Sequence, residues 1–401
     1  MKLRTLDDLG DLADGRVFVR VDFNVPLEGG KVADDLRIRA TLPTLNELLE
    51  RRASLVVACH LGRPKGRVKE EFRLGPVAER MAELLGRPVA YAPTDGVVVP
   101  GVAERCVALR PGEVTLLENL RFDPGEEAND RRFAEELAKL AGVYVDDAFG
   151  AAHRAHVSVA ALPEVFLEQE RPAVAGRLLQ REVEVLSKLR ENPERPYVAV
   201  LGGAKVSDKL ATIGALVEKV DALLIGGAMA FTFLAAAGGE EGNSLVEPDR
   251  FEDVRAAERR ATEHGVPIVL PEDVVVAPEM SADAPRHTVA ANEVPAGEMG
   301  LDVGPRTVEV FARRIADAKA ILWNGPMGVF ELEPFSAGTR GVATAVAASA
   351  AFSVVGGGDS LLAVKRLGLE GSFDHLSTGG GASLEFLEGR QLPGIAALEV
   401  L

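Results

Sequence analysis

At 401 residues the chain exceeds the ~250–300 residues at which single cores stop growing, so two domains are the expectation. A net charge of −16 and a pI near 5.0 argue against nucleic acid as the main partner, since non-specific affinity there rests on Lys and Arg neutralising phosphates. No apolar run approaches the ~20 residues of a membrane span, so no membrane partner is expected. Small anions are still compatible with this charge, because they need only a local basic cluster.

The opening MKLRTLDDLGDL is acidic and amphipathic and lacks the apolar core of a secretory signal. Short apolar runs then recur between longer amphipathic segments. In the first half they are RVFVRVD (16–22), SLVVACH (54–60), VTLLEN (114–119) and GVYVDD (142–147). Continuous runs of this length predict strands buried on both faces, and the helices between them predict parallel sheets. Cys59 and Cys106 are too few for a disulfide framework, which predicts a reduced, cytoplasmic protein with both thiols buried.

Basic residues stand at or beside the ends of these runs. Asp22 and Asn24 follow the first, and Arg37 comes soon after. HLGRPKG carries His60 and Arg63, ENLRF carries Arg121, and DAFGAAHRAHVS carries Arg154 with His153 and His156. In open α/β sheets the carboxyl edge of the strands is where ligands bind. Four arginines on four loops of one face would suit a small polyanion, because the guanidinium fork binds phosphate or carboxylate bidentately. A bound metal at the three histidines is not expected beside so many cations.

Between the halves, 172–192 reads as a connecting helix, with Val174, Leu178, Leu179, Val183, Leu186 and Leu189 as its apolar stripe and Pro193 beyond its end. The second half repeats the strand rhythm in YVAVLGG (197–203), DALLIGG (221–227), VPIVLPE (266–272), AILWNGP (320–326) and FSVVGGG (352–358). Its loops are glycine-rich: GGAKVSDK, IGGAMAFTF, MGLDVGP, WNGPMGVFE, GGGDS and STGGGAS. Glycines let backbone N–H groups approach phosphate oxygens, and a following helix adds its dipole. Lys205 and Lys209 are expected to open a helix after GG, one turn apart on one face. Repeated glycine triplets predict a nucleotide, and Asp359 is the natural carboxylate for Mg²⁺. One half fitted to a small anion and the other to a nucleotide together imply phosphoryl transfer, which rests on positioning and charge neutralisation.

RVDFNVP, HLGRPKG, ENLRF, HRAH, LGGAKVSDK, GLDVGP, WNGPMGVFE, GGGDS and STGGGASLEFLEG, taken in this order, resemble the phosphoglycerate kinase family over essentially the whole chain. The resemblance implies two Rossmann-like α/β domains with parallel sheets flanked by helices: 1–171 for phosphoglycerate, 193–385 for nucleotide, the 172–192 helix between them, and 386–401 returning to the first. It implies reversible, Mg²⁺-dependent transfer from 1,3-bisphosphoglycerate to ADP, giving 3-phosphoglycerate and ATP, in a cytoplasmic monomer that closes between its domains. Asp22, Asn24, Arg37, His60, Arg63, Arg121 and Arg154 would hold the phosphoglycerate. Lys205, Lys209, Gly300, Asn324, Glu331, Gly357, Gly358, Asp359 and Ser360 would hold the nucleotide, with Asp359 at the metal. Gly379, Gly380 and Gly381 would offer a helix N-terminus to the phosphates, and Arg37 and Lys209 would meet the transferred group. Ala151, Ala228, Cys59 and Glu298 depart from residues common in the family.

Two other readings are weaker. A dinucleotide-dependent dehydrogenase lacks a G-x-G-x-x-G after the first strand. A non-catalytic anion-binding protein leaves the glycine-rich half without a purpose.

Overall fold

The apolar runs of the first half become β1 (Arg16–Val21), β2 (Ser54–Ala58), β3 (Val114–Leu116), β4 (Val143–Asp147) and β5 (Ala173–Ala175). They pair in parallel in the order β3-β2-β1-β4-β5. β2 and β3 are buried along their whole length, and β1 and β4 from their second residues on. That is why these strands do not alternate apolar with polar. Val17, Val19, Val21, Leu55, Val57 and Val145 share one core with Ile38, Leu45 and Leu48 of helix α1 (Leu36–Glu50). Each such side chain is worth about 1.5–3 kcal/mol when fully buried.

Helix α2 (Arg177–Glu191) begins later than the sequence predicts, because Ala173–Ala175 pairs with β4 as an edge strand. Val174 is therefore a sheet residue and leaves the helical stripe. Asp147, at the end of β4, sets the boundary. Its Oδ1 accepts the N–H groups of Leu178 (2.9 Å) and Leu179 (3.2 Å), and Thr44 Oγ1 accepts that of Arg177 (2.7 Å). Three of the N–H groups that a helix start leaves without partners are thereby satisfied.

The computed structural model describes residues 2–400, in two compact units: 2–184 with 391–400, and Val185–Arg390. The division falls within α2. The C-terminal segment belongs to the first unit through Gly394 N–H to Ala152 O (2.9 Å) and Val400 N–H to Lys2 O (2.9 Å). No described helix is long and apolar enough to cross a membrane.

In the second unit the strands are β6 (Tyr197–Leu201), β7 (Ala222–Ile225), β8 (Ile268–Val269), β9 (Asp273–Ala277), β10 (His287–Ala290), β11 (Met299–Val303), β12 (Ala320–Asn324), β13 (Phe352–Gly356) and β14 (His375–Ser377). The helices that matter to the site are α3 (Leu210–Leu216), α4 (Met229–Ala236), α5 (Ala337–Ala348), α6 (Gly358–Arg366) and α7 (Gly381–Leu387). Six strands pair in parallel in the order β8-β7-β6-β12-β13-β14. Both parallel sheets reverse their order beside the first strand, at β1/β4 and at β6/β12. Such switch points open a crevice at the carboxyl ends of the strands.

A separate antiparallel sheet, β10-β9-β11, corrects the reading of MGLDVGP as a loop. Met299–Val303 pairs along Asp273–Ala277, a β-branched run that the sequence reading passed over, and Gly300 therefore lies in a strand. VPIVLPE contributes only Ile268–Val269 to a strand, since Pro267 and Pro271 bracket the pair.

Candidate functional site

Asp22 follows β1 directly and accepts from Arg37 Nη1, in the first turn of α1, at 2.8 Å. Asn24 Oδ1 accepts from Gly62 N–H at 2.9 Å, and Gly62 O accepts from Arg121 Nη1 at 2.8 Å. Through these bonds the turns after β1, β2 and β3 are tied together. Gly62 has φ +61, and a Cβ there would enter the Phe72 ring, so only glycine makes this turn. Arg63, the next residue, is exposed.

Charge in this cluster is unbalanced. Arg121 is 4% exposed; its Nε lies 3.3 Å from Glu127 Oε1 yet makes no hydrogen bond. Burial, with Arg154 and Arg20 nearby, holds the Arg121 guanidinium below its ordinary pKa despite the opposing Glu127. His60 is held far below the usual histidine range by burial, then by Arg20, Arg121, Arg37 and His156. His156 is pushed down to about 4 by burial and by Arg121, Arg20 and Arg154. Arg154 Nε donates to His153 Nε2 at 3.1 Å. Arg37 and Arg121 thus act on His60, and Arg154 on Arg121, so like charges stand close together here, which an anion would relieve.

Sequence reasoning missed Arg20, whose side chain is fully buried in β1. The signal was present: one arginine inside the otherwise apolar RVFVRV, where a charge needs a partner beneath the sheet surface. It also missed Ser158 and Glu126, both buried, which support that arginine.

At the second switch point the loops after β6 and β12 touch backbone to backbone. Gly203 N–H donates to Pro326 O at 3.0 Å, and a Cβ on Gly202 would stand 2.9 Å from Gly325 O. Gly202 is glycine for this close approach. The stretch to Lys209 is a series of turns rather than a helix, which corrects the expected lysine pair on one helix face. Gly203 at φ +114 breaks the helical path, and Glu247 takes up Ser207 N–H (3.0 Å) and Oγ (2.6 Å). α3 starts only at Leu210, with Lys209 as its N-cap residue. Lys205 is exposed in the turn.

Lys209 Nζ donates to Oδ1 of Asn324, the last residue of β12. Burial lowers its pKa from 10.5 to about 8, with Asp208 and Asp359 opposing the shift. Gly357, φ +93, runs along the Asn324 amide, where an added Cβ would lie 3.1 Å from Nδ2. Gly358 opens α6, Asp359 is exposed in its first turn, and Ser360 Oγ accepts Gly325 N–H at 2.7 Å from a buried position. The two glycine-triplet helix starts expected from sequence are thus formed by α6 and α7. Gly379, Gly380 and Gly381 lead into the second.

Beside this network is a cavity of about 620 Å³. Gly300, Glu331 and Asp359 line it, as do Gly203 and Ala204; Lys205, Lys209, Asn324, Gly357, Gly358, Ser360 and Gly379–Gly381 do not. Phe231 of α4 also lines it, and its ring occupies the space a Gly300 side chain would need. Gly300 N–H donates to Ser244 Oγ at 2.9 Å. Asp302, also on the wall, caps α5 by accepting Gly338 N–H at 2.7 Å, and burial raises its carboxyl to about 7. Phe231, Ser244 and Asp302 were not anticipated, because chain order does not reveal that the antiparallel sheet forms a wall.

A buried arginine cluster at one switch point and a glycine-walled cavity beside the other define a class: a two-unit α/β protein fitted to anionic ligands. The family model described as phosphoglycerate kinase matches residues 6–390. A phosphoglycerate kinase of Moorella thermoacetica is 55% identical over 394 residues, covering 98% of each chain. One of Frankia casuarinae is 55% identical over 409 residues, covering 99% of this chain and 100% of the other. Among solved structures, phosphoglycerate kinase from Coxiella burnetii superposes with a TM-score of 0.85 at 42% identity, covering 99% of both chains. That from Pyrococcus horikoshii OT3 gives 0.86 at 33% identity, covering 99% of this chain and 98% of the other. The chain belongs to the phosphoglycerate kinase family.

Proposed function

We propose that the protein transfers a phosphoryl group reversibly between 1,3-bisphosphoglycerate and ADP, giving 3-phosphoglycerate and ATP. The observation that carries this reading is the cation-rich cluster around Arg121, whose Nε is buried without a hydrogen-bond acceptor. Asp22, Asn24, Arg37, His60, Arg63, Arg121 and Arg154 hold the acid substrate. Asp22 orients Arg37, and Asn24 and Arg121 fix the Gly62 turn from either side.

The nucleotide base enters the cavity over Gly300, with Glu331 at its wall, and the phosphates run toward Gly357–Ser360 and the turn carrying Lys205. Gly379–Gly381 complete the phosphate surroundings. Lys209, held by Asn324, and Arg37 neutralise charge on the group in transfer. Both acceptors, a carboxylate and an ADP oxygen, are ionised near neutral pH, so no side chain has to remove a proton. Asp359 fits Mg²⁺, which takes one or two carboxylates beside phosphate oxygens, because it is exposed on the cavity wall and ties up no donor among the described residues. The ion supplies charge neutralisation at the phosphates. Two buried free cysteines support a cytoplasmic setting, and we read the protein as a monomer, which sedimentation velocity checks.

Calorimetry with 3-phosphoglycerate tests the assignment of the two sites. Arg121→Ala should abolish that heat while ATP binding persists. Equal 3-phosphoglycerate binding by the variant would refute it.

A further inference from the structure

Beneath the arginine cluster runs a chain of buried hydrogen bonds with one possible direction. Arg20 has only donors. Its Nη1 donates to Val21 O, its Nε to Ser158 Oγ at 2.7 Å, and its Nη2 lies 3.1 Å from His60 Nδ1. Ser158, having accepted from Arg20, gives its own proton to Glu126 Oε1 at 2.6 Å. The other carboxylate oxygen, Oε2, takes Ser158 N–H at 3.1 Å. Every acceptor in the chain is thus assigned, and at its far end His60 Nδ1 must be a bare lone pair.

We propose that Arg20 is a positioning residue which, anchored through Ser158 and Glu126, fixes His60 as the neutral Nε2–H tautomer and so as a hydrogen-bond donor to the anionic acid substrate. The inference rests on the reading of His60 as a substrate ligand.

The groups facing His60 agree with it. Arg20 approaches from β1, Arg37 from α1, Arg121 from the turn after β3, and His156 from beyond β4; all disfavour a positive charge on the ring. Asp22 Oδ1, the carboxylate on this side, is 4.0 Å from Nδ1, beyond hydrogen-bond range. Nε2 has no protein partner among the described residues, and the side chain is 8% exposed. An imidazole whose Nδ1 is occupied by a fixed arginine cannot turn its lone pair toward an incoming anion. The arginine selects the donor face, as a hydrogen bond at one ring nitrogen sets the state of the other.

Long-range ¹H–¹⁵N correlation spectra of ¹⁵N-histidine-labelled, ligand-free, full-length protein test this directly from pH 5 to 8.5. One of the six histidines, assigned by its loss in His60→Gln, should show the Nε2–H pattern throughout and no imidazolium. An Nδ1–H pattern, a tautomer mixture, or an imidazolium form anywhere in this pH range would overturn the proposal, whether or not the Arg20 and Ser158 variants fold. Ser158→Ala and Arg20→Met should release the tautomer preference and raise KM for 3-phosphoglycerate about tenfold, or about 1.4 kcal/mol. KM for ATP should stay within twofold, and Arg20→Lys should rescue only part of the loss. An unchanged tautomer in Arg20→Met would also overturn it. A spectrum as expected without calorimetric binding of 3-phosphoglycerate would overturn the substrate reading instead.

Discussion

Lys209→Met should make the protein more stable and the catalyst far worse. Partial burial lowers the Lys209 pKa from 10.5 to about 8, and at ~1.4 kcal/mol per pH unit, reduced for residual solvent, keeping the ammonium charged costs about 2–3 kcal/mol. Methionine removes that cost and forfeits the hydrogen bond to Asn324, worth about 0.5–1.5 kcal/mol. The net gain at pH 7 is therefore about 1–2 kcal/mol. The sign with pH follows from the lowered folded-state value. The wild type carries the full cost below about 8 and sheds it as pH rises toward 10.5, where the unfolded lysine also loses its proton. Urea denaturation should thus show the gap between variant and wild type closing between pH 8 and 10.5. In turnover, loss of one donor at the transferred group should lower kcat by about 10²–10³, with KM for ATP changed only severalfold. A variant less stable than wild type at pH 7, or one with kcat within tenfold, would refute this account of Lys209.

Gly300→Ala should raise KM for nucleotide at least tenfold and leave KM for 3-phosphoglycerate alone, because its Cβ would displace the Phe231 ring into the cavity; steady-state kinetics decides, and equal nucleotide KM values would contradict it. Arg121→Lys should do the reverse, since a lysine cannot hold Gly62 O and a ligand oxygen with one planar fork. Burial raises the Asp147 carboxyl to about 7 from 3.8, so its contribution to stability is complete below about 4 and is lost as pH rises through 7. Asp147→Asn, which keeps an oxygen for the Leu178 and Leu179 N–H groups, should flatten that fall, as read by urea denaturation at pH 4 and 7. An unchanged slope would count against it.

Wherever one local segment carries its own reason, the sequence was readable. β2, β6 and β7 are nearly continuous apolar runs, and α6 announces itself by GGGDS. His60 and Arg121 stood just past strand ends, and parallel topology alone places such ends on one edge, whereas Arg37 opens α1 and is tied to that edge by Asp22. What escaped depended on pairs distant in the chain. Val174 reads as helical until β4 claims it as a strand neighbour. Lys205 and Lys209 have helical spacing, but Glu247, far along the chain, draws Ser207 into a turn. Gly300 looks like a loop glycine until β9 pairs with β11 and Phe231 lies over it. Arg20 was legible as an anomaly and not as a device, because Ser158 and Glu126 reach it only in the folded chain.

The central claim is best tested by turnover itself. Purified protein is mixed with 3-phosphoglycerate, ATP and Mg²⁺, and the acyl phosphate product is reduced by an NADH-linked coupling dehydrogenase. The account predicts NADH loss at about 1–10³ s⁻¹ per enzyme, abolished by omitting 3-phosphoglycerate or by chelating the metal upstream of the coupling step. No NADH loss with an active coupling enzyme, or loss that continues without 3-phosphoglycerate, would contradict it.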